Sequence, residues 1–105
     1  MSYGNLTALS KKEDAVIPKK ISLEQNYPNP FNPVTTIEYK TTTPSLVKLV
    51  VFNPLGQTVA ILVNEFQKPG RYKVNFNANS LKSGSYFYRL SVKGKSLTKK
   101  MIILR

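Results

Sequence analysis

The sequence predicts an all-β domain, seven short antiparallel strands folded as a sandwich or a barrel. Three observations carry this expectation. From Ile17 onward, β-branched and aromatic runs recur about every ten residues. Pro, Gly and Asn punctuate those runs where turns are needed. No stretch keeps an apolar 3.6-residue period long enough for a helix.

Taken in order, residues 1–16 show neither strand alternation nor sustained periodicity. They read as a linker, a tag remnant or the end of a preceding domain, with residues 17–105 as the folded unit. Strands are expected over Ile21–Gln25, Thr35–Thr41, Ser45–Phe52, Gln57–Val63, Arg71–Phe76, Ser85–Val92 and Ser96–Leu104. Between the third and fourth, Asn53-Pro54-Leu55-Gly56 has the residue preferences of a type I turn, with Gly56 free to form a bulge that closes a hairpin. Lys68-Pro69-Gly70-Arg71 places Pro and then Gly as a type II turn prefers, and Val92-Lys93-Gly94-Lys95-Ser96 reads as a short hairpin.

A side-chain period of two assigns faces to three strands. Ile37 and Tyr39, then Tyr72, Val74 and Phe76, then Tyr86, Tyr88, Leu90 and Val92 are expected to point inward. Phe87 is then left exposed among polar neighbours.

Composition narrows the function. The 105 residues include 16 Lys and Arg against 5 Asp and Glu, with no His, no Cys and no Trp, for a net charge of +11. Without His or Cys there is no serine triad, no thiol nucleophile and no imidazole or thiolate metal site. Five scattered carboxylates assemble a hydrolytic pair only with difficulty. The chain is read as a non-enzyme that needs no cofactor or metal. Residues 66–105 hold ten of the basic residues and no acid. That asymmetry favours anionic partners, or simply a solvated face. Nucleic acid is not expected, since no aromatic–glycine RNA-binding signature or helical reader accompanies the charge. The start, Met1-Ser2-Tyr3-Gly4-Asn5, lacks the basic and apolar regions of a signal peptide, so the chain reads as cytosolic or as a fragment of something larger.

Three stretches are candidates for function. Asn26-Tyr27-Pro28-Asn29-Pro30-Phe31-Asn32-Pro33 loses three backbone donors and cannot be a central strand. It is a rigid corner, with Tyr27 or Phe31 plugging the end of the fold, or a Pro-rich ligand for a partner's aromatic groove. Leu81-Lys82-Ser83-Gly84-Ser85-Tyr86 has the form of a tyrosine corner, in which the phenol bonds to backbone a few residues upstream. Lys99-Lys100-Met101-Ile102-Ile103-Leu104-Arg105 is apolar between basic ends, as suits a last strand docked in a sheet.

These stretches, in this order from Ile17 to Arg105, resemble type A C-terminal sorting domains of the type IX (Por) secretion system. The Asn26–Pro33 string carries most of the resemblance, with Val51-Phe52-Asn53, Leu55-Gly56-Gln57 and Gly84-Ser85-Tyr86-Phe87-Tyr88-Arg89-Leu90 in support. The resemblance implies a seven-stranded, immunoglobulin-like Greek-key sandwich that catalyses nothing. It implies partners: an N-terminal cargo domain, an outer-membrane receptor, a sortase and anionic lipopolysaccharide as the final anchor. The full-length protein is then expected outside the outer membrane or on the cell surface, and this chain is an excised fragment with an added Met1. Carried over by position, the recognition residues are Pro28, Asn29 and Pro30, then Gly84 and Tyr86, then Lys99, Lys100, Met101, Ile102, Ile103, Leu104 and Arg105. The alternative is a carbohydrate-binding or cell-attachment sandwich. That reading needs an exposed aromatic platform, for which only Tyr3, Phe66 and Phe87 are available.

Overall fold

Alternating apolar and polar residues give each long segment one face to bury, and burial of that face is what holds the strands together. The computed structural model describes residues 17–105, so the reading of residues 1–16 as a linker lies outside the described residues. Seven strands form: β1 (Ser22–Leu23), β2 (Val34–Thr41), β3 (Ser45–Phe52), β4 (Thr58–Gln67), β5 (Gly70–Asn77), β6 (Gly84–Val92) and β7 (Lys95–Ile103). They make two antiparallel sheets, ordered β1-β2-β5 and β4-β3-β6-β7. The two sheets do not close on each other, so the fold is a sandwich and not a barrel.

Its core is drawn from both sheets: Ile37, Tyr39 and Phe76 from one, Val47, Leu49, Val51, Tyr88, Leu90, Met101 and Ile103 from the other. Burying each large side chain among these contributes roughly 1.5–3 kcal/mol. The expected inward faces of β2, β5 and β6 are the observed ones, although Tyr72 and Val74 are only half-buried because β5 is an edge strand. Phe87 departs from expectation. It does face outward, but Phe52 and Lys100 lie beside it across the two adjoining strands, and it is half-buried rather than exposed.

The turns follow their residues in two cases out of three. Gly56 N–H donates to Asn53 O at 2.9 Å, Gly56 has φ 82°, and Asn53 Oδ1 accepts from the N–H groups of Leu55 and Gln57. The β6–β7 hairpin turns on Lys93 and Gly94, with φ of 49° and 78°, the left-handed pair of a type I′ turn. Lys68–Arg71 is not the expected type II turn. Gly70 has φ 157°, far from the roughly 80° that turn requires. The segment has a different task, carrying the chain from the four-stranded sheet into the three-stranded one.

Two strand lengths also differ. β4 runs to Gln67, past the expected end at Val63, because Asn64 and Glu65 pair with Lys48 and Val47 despite their polarity. β1 holds two residues, not five, because the chain leaves the sheet after Glu24 to reach β7.

Buried phenols tie the layers. Tyr88 of β6 accepts the Asn26 N–H at 2.8 Å and donates to Glu24 O at 2.7 Å, joining the four-stranded sheet to the segment that follows β1. Tyr39 of β2 donates to Gln67 Oε1 of β4 at 2.6 Å and stacks on Tyr72 with ring centroids 5.2 Å apart. Burial pushes both Tyr39 and Tyr88 up to about 12 from the model-compound value of 10.0, against the opposing pull of Gln67 on one and of the Asn26 N–H on the other.

Two outcomes follow for this scaffold. Replacing Tyr88 by Phe leaves the Asn26 N–H and the Glu24 carbonyl without their partner. At about 1–3 kcal/mol per unmet buried group, the loss is expected to be roughly 2–6 kcal/mol, read from urea unfolding. The pH dependence has a definite sign. A folded-state value above the unfolded one favours the protonated phenol, so this stability is complete below pH 10.0 and is lost as pH rises towards about 12. Absorbance titration should show two tyrosines ionising near the top of that window. Complete ionisation of all six by pH 11 would contradict the burial.

Candidate functional site

Three residues of the Asn26–Pro33 string have no N–H to satisfy, so the chain can run here without being a strand. The peptide bonds preceding Pro28, Pro30 and Pro33 are cis. What fixes the path is Asn26, 2% exposed. Its Nδ2 donates to Thr35 Oγ1 at 2.9 Å and to Pro28 O at 3.2 Å, and its Oδ1 accepts from Gln25 Nε2 at 2.7 Å. Thr35 Oγ1 in turn donates to Pro28 O at 2.8 Å. One buried amide thus folds the corner around its own side chain. Phe31, 3% exposed, is the plug of the sandwich end, its ring 6.2 Å from that of Phe76, whereas Tyr27 is 80% exposed.

The string then lies along the last half of β7. On one side β7 pairs with β6. On the other, Gln25 Nε2 donates to Lys100 O at 2.7 Å and Ile102 N–H donates to Asn29 Oδ1 at 2.9 Å. Phe31 N–H donates to Ile102 O, and Leu104 N–H donates to Phe31 O, each at 3.0 Å. This makes a parallel bridge between Phe31 and Ile103.

The third stretch meets β7 from the far side. Gly84 stands opposite Ile103 and Tyr86 opposite Met101. Tyr86 Oη donates to Lys82 O, four residues upstream, at 2.9 Å, the expected tyrosine corner. Arg105 closes the arrangement. Its Nη1 faces three carbonyls of the β5–β6 connection, Ala78 at 3.0 Å, Asn79 at 2.8 Å and Leu81 at 2.7 Å, and its N–H donates to Ser83 Oγ at 2.8 Å.

All the residues expected for recognition therefore lie on the second half of β7 and the segments that flank it. They are not equivalent. Met101 and Ile103 are buried core, Lys100 and Leu104 are exposed, and Lys99 is half-buried. Asn29 and Arg105 make structural bonds, while Pro28 contributes its carbonyl. Gln25, Asn26, Thr35 and Tyr88 build the site without having been singled out. The Asn26–Pro33 string includes Asn26, but no local pattern announces a buried amide. Tyr88 was assigned to the core face without its hydroxyl's partners. Among the described residues no group of three His, Cys, Asp or Glu is placed to hold a metal ion. What the arrangement offers is a rigid, basic surface.

The cations of the tail should separate by substitution. Arg105→Gln removes charge-assisted bonds to three carbonyls and is expected to cost about 1.5–2 kcal/mol, the lower end for such bonds because the side chain is exposed. Lys100→Gln, which removes no such bond, should stay within about 0.5 kcal/mol. Equal urea midpoints for the two variants would refute the clamp.

Comparison with known proteins agrees with this arrangement. Residues 25–104 match the secretion system C-terminal sorting domain family, a span that covers the Asn-Pro string, the tyrosine corner and β7. No curated protein and no solved structure matches the chain significantly. The chain therefore belongs to the secretion system C-terminal sorting domain family, in general non-catalytic, whose members are sorting signals of the type IX system for proteins exported through the outer membrane.

Proposed function

We propose that the end of the sandwich formed by Pro28–Pro30, Gly84–Tyr86 and Lys99–Arg105 is the surface read by the outer-membrane receptor of the type IX system. The observation that supports this reading is convergence. Stretches 24 to 73 residues apart in the chain meet on the last strand, held by Asn29 to Ile102 and by Arg105 to the β5–β6 connection. A receptor reading this surface reads a folded domain, because the unfolded chain does not bring these residues together. Within it, Lys99 and Lys100 supply charge that speeds capture by a partner of opposite sign. Pro28, Asn29, Pro30, Gly84 and Tyr86 set the shape, and Met101 and Ile103 anchor the strand from the core side.

The domain itself performs no chemistry in this reading. An N-terminal cargo domain is exported with it; a sortase then separates the two and joins the cargo to anionic lipopolysaccharide, which holds it at the cell surface. The immunoglobulin-like assignment is supported by the tyrosine corner and by the strand order.

The test is export of a fluorescent reporter fused ahead of residue 17 in a type IX-competent cell. The Lys99→Gln, Lys100→Gln double variant keeps both side chains' reach and spares the Arg105 clamp. It should unfold at the parent's urea midpoint and yet leave most of the reporter in the periplasm. Undiminished export by this correctly folded variant would remove the tail charges from the recognition surface.

A further inference from the structure

Most of the +11 charge is not used at the end just described, and a second surface collects part of it. An open groove of about 720 Å³ crosses the outer face of the four-stranded sheet, from Phe66 on β4, past Leu46 and Lys48 on β3 and Arg89 on β6, to Lys93 and Lys95 at the β6–β7 turn. Phe66 and Leu46 face each other across the β3–β4 pair and are 69% and 51% exposed. Exposed large apolar side chains set side by side are a usual mark of an interaction site.

The electrostatics of the groove are one-sided. No carboxylate lines it. Among the described residues Glu24 and Glu38 belong to the three-stranded sheet and its connection, and Glu65 pairs with Val47, a core-facing position, not with an outward one. One of the four cations is held in place by an aromatic ring, and another stands in a turn position where a cation is unusual. The Arg89 guanidinium carbon lies 4.4 Å from the centre of the Phe52 ring, a cation–π seat that restrains its side chain. Lys93 has φ 49°, a left-handed conformation for which Asn or Gly is the ordinary choice, so the turn sets an ammonium at the groove's end where its usual residues would set none.

We infer that this groove binds an acidic peptide segment carrying one large apolar side chain, supplied by a protein of the export machinery. The inference rests on the sorting reading above and names a second contact for it. Charge complementarity selects the acidic partner, and the Leu46–Phe66 pair takes the apolar anchor. Four strands span about 14 Å at roughly 4.8 Å spacing, the length of four or five extended residues. A lipid bilayer suits the site less well, since interfacial binding needs apolar side chains that project roughly 5–10 Å into the headgroup boundary, and here they sit in a groove. Single-stranded nucleic acid suits it less well again, because Phe66 stands alone where successive bases need a row of stacking rings.

The probe is a fluorescein-labelled peptide, Asp-Ser-Glu-Phe-Asp-Glu, added to the full chain in low-salt buffer. Its analogue with every acid replaced by Lys serves as the control. Saturable binding of the acidic peptide alone is expected, weakened at least about tenfold by Lys48→Gln with Arg89→Gln and by Phe66→Ser, with urea midpoints unchanged. Lys93→Asn is expected to raise the urea midpoint while weakening binding several-fold, a pair of opposite changes that a purely structural turn would not produce. Three results would overturn the inference: no binding at low salt, equal binding by the groove variants, or preferential binding of phosphatidylglycerol vesicles or oligo-dT. The export assay separates this inference from the reading it rests on. If the groove variants export normally and the Lys99, Lys100 variant does not, the groove has no part in export and the sorting surface stands. If the groove variants alone fail, the groove stands and the sorting surface is misplaced.

Discussion

The last half of β7 is an edge strand, and the arrangement of the segments around it depends on how that edge is closed. An open edge presents unpaired N–H and C=O groups, which bind a stray strand or cost free energy when covered without partners. Here the cover is a segment with few donors of its own. Gln25 and Asn29 contribute side-chain amides and Phe31 its backbone, so Lys100, Ile102 and Leu104 are all paired. Each such bond contributes about 1 kcal/mol net, and more is lost if a buried partner is left unmet. The tail is thus a strand fixed on both edges, with Met101 and Ile103 buried beneath it.

β6 carries the references for that arrangement. Tyr86 and Tyr88 are two residues apart, so both lie on the core face, and both end in hydroxyl groups that need partners when buried. One is directed to Lys82 O and orients the β5–β6 connection on which Arg105 closes. The other bridges Glu24 and Asn26 and sets where the Asn-Pro string begins. Two phenols on one strand therefore position the two segments that flank β7.

Charge then has distinct uses on one small domain. Arg105 spends its charge inward, on carbonyls. Lys100 lies beside Gln25 on the last strand, and Lys48, Arg89, Lys93 and Lys95 gather on the outer face of the four-stranded sheet. Positive clefts raise the rate at which an oppositely charged partner is met.

Much of this was legible in the residues alone. Recurring β-branched and aromatic runs between turn residues determined seven strands, and period-two alternation the inward faces of β2, β5 and β6, since side-chain direction in a strand is a local property. Asn53–Gly56 and Lys93-Gly94 were readable as turns for the same reason, and the spacing of Leu81, Gly84 and Tyr86 made the tyrosine corner visible within six residues. The resemblance of the Asn26–Pro33 string placed the family. Only the tertiary structure decided what is satisfied by distant partners. It chose Phe31 over Tyr27 as the plug, because only Phe31 meets Phe76 from β5. It buried Asn26 against Thr35, and it made Arg105 a clamp where a terminal cation reads as a solvated or receptor-facing charge. It sent Lys68–Arg71 between sheets, which no turn preference encodes, since the choice between hairpin and crossover is made by which core face the next strand must cover. Local conformation is written in neighbouring residues; the partners of a polar group are set by the chain's return from far away.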